Sequence, residues 1–485
     1  MSPLIGIALI GAYFFILVAV SHFTNKGPSN SDAFFTGNRN SKWYLVAFGM
    51  IGTSLSGVTF ISVPGMVKSG NFHYLQMVFG YLIGYVVIAQ VLMPMYYRLN
   101  LVSIYTYLEQ RFGFWSYKTG SAFFLISRLL GSSARFFLVM SVLHQGVFSP
   151  LGLPFPASVG IGLLLIWVYT YKGGIKTIVI TDTLQTIAML TAVSASILFL
   201  MDHLSLSFSD LPQFLTSNTI STVWSTDVAS KSFWLKQIVA GAFIAITMTG
   251  LDQDMMQKNL SCRNIGEAQK NMYTFSMILL VVNVMFLILG FLLYSYADSA
   301  QIELPTKSDN VFPLLAFTHF PVWVGIMFLT GIIAATYAST DSALAALTTS
   351  FCFDFLNFSQ KQESDRQKQK LYVHFGMSAT VWFLVLVFDQ WNQEALITTV
   401  FELAGLTYGP LLGMYALGLF FKTKPIDNLV PLVAVLSVAF SYIIKTFSKI
   451  LFGGYEIGFE ILLINGAITM ILLLITAWLK PKVNS

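Results

Sequence analysis

With 485 residues, 55% of them hydrophobic, only 10% charged and a mean hydropathy of +0.71, the chain falls outside the ordinary soluble globular class. The net charge of +5 requires no nucleic-acid partner, because a bias of basic residues toward one side of a membrane accounts for it. The solvent this composition suits is a lipid bilayer.

Thirteen apolar runs, each long enough to cross about 30 Å of hydrocarbon, lie near 3–23, 42–67, 73–97, 119–147, 156–172, 176–202, 233–256, 271–297, 322–353, 371–389, 394–421, 427–445 and 457–480. Their length fits helices and not the alternating strands of a barrel. The run at 3–23 lacks a basic leader and a small-residue cleavage site, so it reads as a retained helix. The second run carries Gly52, Ser54, Ser56, Gly57, Thr59, Pro64 and Gly65, which predicts a broken helix. Arg128 and Arg135 fall inside the 119–147 run, and Asp182 inside 176–202, where an ionisable group in hydrocarbon marks ion or solute movement. The 233–256 run repeats the broken pattern, with Gly241, Thr247, Thr249 and Gly250 ahead of Asp252, Gln253 and Asp254. In 322–353 the stretch Ala335 to Ser342 gathers small side chains, hydroxyls and Asp341, oxygen chemistry suited to a hard cation such as Na⁺.

Each broken run opens a group of five, 42–202 and 233–421. An odd number per group makes the two units inverted relative to each other, the arrangement that puts transporter sites at the midplane. The run at 3–23 precedes them and 427–480 holds two more. Nineteen of the 27 Lys and Arg, Lys26, Arg111, Lys172, Lys258, Lys370, Lys480 and Lys482 among them, fall on one side of these spans. Lys68, Lys231, Lys236, Lys307, Lys445 and Lys449 fall on the other. The expectation is an outside N-terminus and a cytoplasmic C-terminus in the cell (inner) membrane, with Cys262 and Cys352 at cytoplasmic helix ends and unpaired.

Four ordered segments resemble the sodium:solute symporter family. They are 98–112, with Tyr-Thr-Tyr-Leu-Glu-Gln-Arg-Phe at its end; 173–185, ending Thr-Asp-Thr-Leu-Gln; 252–267, beginning Asp-Gln-Asp-Met-Met-Gln; and 405–413, Gly-Leu-Thr-Tyr-Gly-Pro-Leu-Leu-Gly. The resemblance is to the branch that carries sialic acid, iodide and monocarboxylates. It implies an all-α, leucine-transporter-like membrane fold with a 5+5 inverted repeat within about thirteen transmembrane helices, working as a monomer. It also implies a Na⁺ site formed by the backbones of Gly52, Leu55 and Ala335 with Ala338 and Ser339. Many members have a second hydroxyl where this chain has Ala338, which leaves Ser339 with backbone and water oxygens. A further Na⁺ site of some relatives maps to Asp182, Asp341 and Ser342, although Asp341 replaces a hydroxyl; two neighbouring carboxylates favour a cation between them, and the alternative is a hydrated place for Asp341 in the cytoplasmic vestibule. The substrate position maps to Ser54, Ser56 and Thr59 on the broken helix, Arg135 as a carboxylate anchor, Phe243 as an apolar wall and Gln76 beside Tyr74. Arg135 has two candidate partners, a substrate carboxylate or the internal acid Glu402. Arg128, nearer the cytoplasm, suits snorkelling or an inner gate.

The function these readings imply is Na⁺-driven symport of a small organic acid, such as a sialic acid or a monocarboxylate, with one or two Na⁺ as coupling ions. The alternative on the same scaffold is a proton-coupled or Na⁺-coupled carrier of a neutral sugar, polyol or amino acid. An enzyme is not expected, since the six histidines are scattered without metal-ligand spacing and no nucleophile elbow or phosphate loop occurs.

Overall fold

The computed structural model describes residues 2–24, 39–170, 175–217, 219–356, 358, 361–391 and 396–479. Lys26, Lys172, Lys480 and Lys482, used above for orientation, lie outside these residues, as do the first two positions of the 173–185 segment. All thirteen apolar runs are helical where described; twelve are long and apolar enough to cross a membrane when each of three bent pairs counts as one span, and the helix of the fifth run is shorter. The helices are α1 (Pro3–Thr24), α2 (Trp43–Ser54 with Gly57–Gly65), α3 (Tyr74–Arg98), α4 (Phe114–Leu143), α5 (Phe155–Thr170), α6 (Ile175–His203) and α7 (Trp234–Gly250 with Gln253–Leu260). There follow α8 (Ile265–Ser299), α9 (Val322–Phe355), α10 (Glu363–Trp391), α11 (Leu396–Thr407 with Gly409–Phe420), α12 (Val430–Thr446) and α13 (Ile461–Leu479).

The two expected breaks are present. α2 bends by 57° and α7 by 65°. In α2, Leu55 (φ −88°, ψ 74°) and Ser56 (φ −70°, ψ 175°) leave the helical region. Among the described residues no backbone amide then bonds the carbonyls of Gly52, Thr53, Ser54 or Leu55. α7 winds into a π-helical turn, Ile246–Gly250, before its break, and the Tyr96 and Tyr105 hydroxyls bond the carbonyls of Gly250 and Leu251 at 2.9 and 3.0 Å. A third bend, 46° in α11, was not expected. Its cause is local: Pro410 opens the second half and has no amide to donate back across the joint.

α9 lies at the centre, buried along nearly all of its length, and α1, α10, α12 and α13 form the rim. Large apolar side chains on the rim, such as Phe15 and Trp478 at 73% and 81% exposure, would face lipid. At one end, Lys231 (3.1 Å) and Lys449 converge on Glu456, and the Lys449 bond foremost holds that carboxylate below its usual range. α3 and α7 cross backbone to backbone. A Cβ on Gly80 would lie 2.1 Å from the Ile238 carbonyl oxygen, and one on Gly241 2.1 Å from that of Met77. Gly241→Val is therefore expected to cost about 3 kcal/mol and to collapse the monodisperse yield on size-exclusion chromatography. Gly131→Val, where nothing lies within 4 Å, serves as the tolerated control. Equal yields for the two would contradict the close crossing.

Candidate functional site

The breaks of α2 and α7 border a cavity of about 90 Å³. Ser54, Ser56 and Thr59 line it from the unwound side of α2, and Arg135 reaches it from α4. Tyr74, Tyr81 and Tyr85 face it from α3, at spacings of seven and four residues that keep them on one helix stripe. Tyr81 and Tyr85 were not anticipated, although that spacing was available in the sequence. Two expected residues are elsewhere. Gln76 is buried and its amide donates to the Val223 carbonyl at 2.7 Å, so it fastens α3 to the 204–233 connection. Phe243 is half-buried on the neighbouring face of α7, and Ile244, Ala245 and Met248 supply the apolar wall instead.

The two arginines of α4 differ in how their charge is met. Arg128 neither snorkels nor reaches solvent. It is 5% exposed, with Nη2 on Asp254 and Nη1 3.6 Å from Asp252. Asp252 is itself committed: Oδ1 caps the second half of α7 by accepting from the amides of Asp254 (2.9 Å) and Met255 (3.3 Å), and Oδ2 accepts from the Tyr408 hydroxyl at 2.6 Å. The bend in α11 thus presents Tyr408 to the break in α7. Glu402, the alternative partner for Arg135, pairs with Lys445 at 2.8 Å. Arg135 has no ion pair or hydrogen bond among the described residues and faces the cavity. A planar fork with its charge unmet is a receptor for a carboxylate.

Beside the cavity, α2 meets α9. A Cβ on Gly52 would stand 3.4 Å from that of Ala338. Ser339 donates its hydroxyl hydrogen to the carbonyls of Ala335 and Thr336, both at 3.1 Å, which leaves its oxygen lone pairs available. The carbonyls of Gly52 and Leu55 accept no backbone amide among the described residues and the Ser339 oxygen keeps its lone pairs, neutral oxygens of the kind a small hard cation such as Na⁺ takes.

The expected second cation position is different. Asp182 is fully buried, and the ammonium of Lys258, also fully buried, lies 2.6 Å from its Oδ2. Lys258 also donates to Thr53 and, at 2.8 Å, to Ser342. The hydroxyls of Thr53 and Ser342 bond the same Oδ2 at 3.1 and 3.2 Å. Lys258 had been counted among the basic residues of a cytoplasmic connection; it sits inside the bundle. Its signal was local, Asp254 and Lys258 four residues apart on a polar segment directly after the break, with their charges 3.9 Å apart. Asp341 is not a hydrated vestibule residue: it is fully buried and accepts from the Ser342 amide at 2.5 Å. From Arg128 through Asp254 and Lys258 to Asp182, buried charges run without interruption from the cavity to the α2–α9 contact.

Comparison with known proteins gives a consistent picture. A model of the sodium:solute symporter family matches residues 34–424. The sodium/sialic acid symporter NanT of Aliivibrio fischeri is 26% identical over 427 residues, covering 85% of this chain and 82% of that one. The sodium/sialic acid symporter SiaT of Proteus mirabilis is 23% identical over 90% of each, and the sodium-coupled monocarboxylate transporter 1 of Mus musculus 24% identical over 85% and 68%. Among solved structures, a Na⁺-coupled sialic acid symporter in a substrate-bound outward-open state superposes with a TM-score of 0.82 at 19% identity, over 98% of both chains. The nucleobase-cation-symport-1 transporter Mhp1 superposes with 0.56 at 12%. These likenesses show the fold: all-α, leucine-transporter-like, with the 5+5 inverted repeat.

Proposed function

The chain belongs to the sodium:solute symporter family, and on that premise we propose that it imports a small organic acid together with Na⁺ by alternating access. The observation that carries this reading is Arg135, a cation facing the cavity with no carboxylate among the described residues to meet it. An incoming carboxylate satisfies the guanidinium bidentately while Ser54, Ser56 and Thr59 offer hydroxyls to the rest of the solute.

Na⁺ entering from outside completes the oxygen cage of Gly52, Leu55, Ala335, Ala338 and Ser339. This ties the unwound turn of α2 to α9 and favours the solute-ready conformation by the ion's differential affinity. Low cytoplasmic Na⁺ then empties the cage and releases the solute. We assign the units 42–202 and 233–421 as the inverted halves, an outside N-terminus, and function as a monomer.

The test is uptake into proteoliposomes under an inward Na⁺ gradient, screening labelled monocarboxylates, sialic acids and neutral sugars. A monocarboxylate anion carried with one Na⁺ moves no net charge across the membrane, so the Na⁺ concentration gradient is the driving force, and replacing Na⁺ with choline should reduce accumulation to the equilibrium level. Accumulation that persists in choline and follows a proton gradient would overturn Na⁺ coupling, and transport restricted to neutral sugars would overturn the acid.

A further inference from the structure

We propose that the Lys258 ammonium stands in permanently for a second coupling cation, so that this symporter carries a single Na⁺ per cycle. The proposal rests on the Na⁺-symport reading above.

An ammonium and a bound Na⁺ place the same demand on their surroundings, one positive charge met by oxygens. The three N–H donors of Lys258 have three acceptors here, the Asp182 carboxylate, the Thr53 hydroxyl and the Ser342 hydroxyl. The two hydroxyls use their own hydrogens toward Asp182, so the network is complete on the Lys258 side without conflict. Asp182 and Ser342 are two of the three ligands a second Na⁺ would need, and both already hold the ammonium. An ion entering at hydrogen-bond distance from Nζ would meet a like charge in a site from which water is excluded. At about 4 Å that repulsion weakens binding by roughly a thousandfold. Nor does Lys258 have an exit along its own stem: it is fully buried, and Asp254, four residues earlier on the same helix, adds a second negative charge 3.9 Å away.

The cage at Gly52, Leu55 and Ser339 is a separate set of oxygens, none of which bonds Lys258. Substituting the lysine therefore changes the ion count without removing a ligand of the first site.

Equilibrium binding of radioactive ²²Na⁺ to the purified full-length protein, with no organic solute present, reads the count directly. We expect the wild-type chain to hold one Na⁺ at saturation with a Hill slope of one. In Lys258→Met, a neutral side chain of similar length frees Asp182 and Ser342, and a second ion should bind with a slope above one. Lys258→Met/Asp182→Asn removes both charges, guards against misfolding from an unpaired carboxylate, and should return the count to one. Two ions on the wild-type chain would overturn the proposal, as would a folded Lys258→Met chain that still holds one. Should Lys258→Met fail to fold, the wild-type count decides. No Na⁺ on the wild-type chain would instead remove the symport reading beneath it.

Discussion

Arg135→Ala is expected to abolish acid transport, lowering kcat/KM by between roughly thirtyfold and several thousandfold. The range follows from removing one partner of a desolvated, bidentate charge pair, which costs about 2–5 kcal/mol. The geometry makes the prediction specific to Arg135. Arg128, seven residues earlier on the same helix, is held by Asp252 and Asp254 and has no charge to spare. Arg135→Lys should recover part of the loss, because it restores the charge without the planar fork. The measurement is initial-rate uptake into proteoliposomes over a range of acid concentrations. If the alanine variant kept its kcat/KM for every acid tested, Arg135 would not be the anchor.

The second large effect is on stability. Asp182→Ala leaves a fully buried ammonium with two neutral hydroxyls and only the more distant Asp254 for compensation, and breaking a buried pair from one side costs about 3–5 kcal/mol. The variant should show a much lower thermal midpoint in detergent and little folded protein in the membrane. Asp182→Leu/Lys258→Met, which removes both charges and keeps apolar volume in their place, should regain most of the stability. A midpoint for Asp182→Ala equal to wild type would show that Lys258 finds its compensation elsewhere.

The spans were legible because a bilayer leaves a one-dimensional trace, a long apolar run for every crossing. The breaks in α2 and α7 were legible for a similar reason, since Gly52, Ser54, Ser56, Gly57 and Gly250 are locally at odds with a helix. The bend at Pro410 left the same kind of trace but lay within a run apolar enough to read as one span. Arg135 stood out as a charge near the middle of its span. The partners of Arg128 and Lys258 could not be read the same way. Asp254 lies 126 residues from Arg128 and Asp182 lies 76 from Lys258, and no periodicity within a helix encodes which distant segment packs against it. Counting charges by side also failed at Lys258, because hydropathy ends the seventh run at 256 and leaves Lys258 in a connection, while packing turns the whole segment Gln253–Leu260 into core. Phe243 and Gln76 were misplaced by the choice of helix face, a rotation too small for sequence spacing to resolve.

The glycine crossing of α3 with α7 has a counterpart where α8 passes α2: a Cβ on Gly290 would lie 2.5 Å from the Pro64 carbonyl oxygen. Where main chain rests on main chain there is no side-chain cushion to absorb a displacement, so a tilt of α7 is equally a tilt of α3, and α2 carries α8 with it. α6 also approaches α2 closely, with a Cβ on Gly49 3.2 Å from the Val179 carbonyl oxygen. The seam of α2 with α9 is of another kind, since there the Ala338 methyl and the Lys258 chain intervene, groups that can re-form their contacts after a slide. Compliance is therefore concentrated on the α2–α9 face that holds the ion, and the loading of that seam is felt by two coupled helix pairs moving as levers.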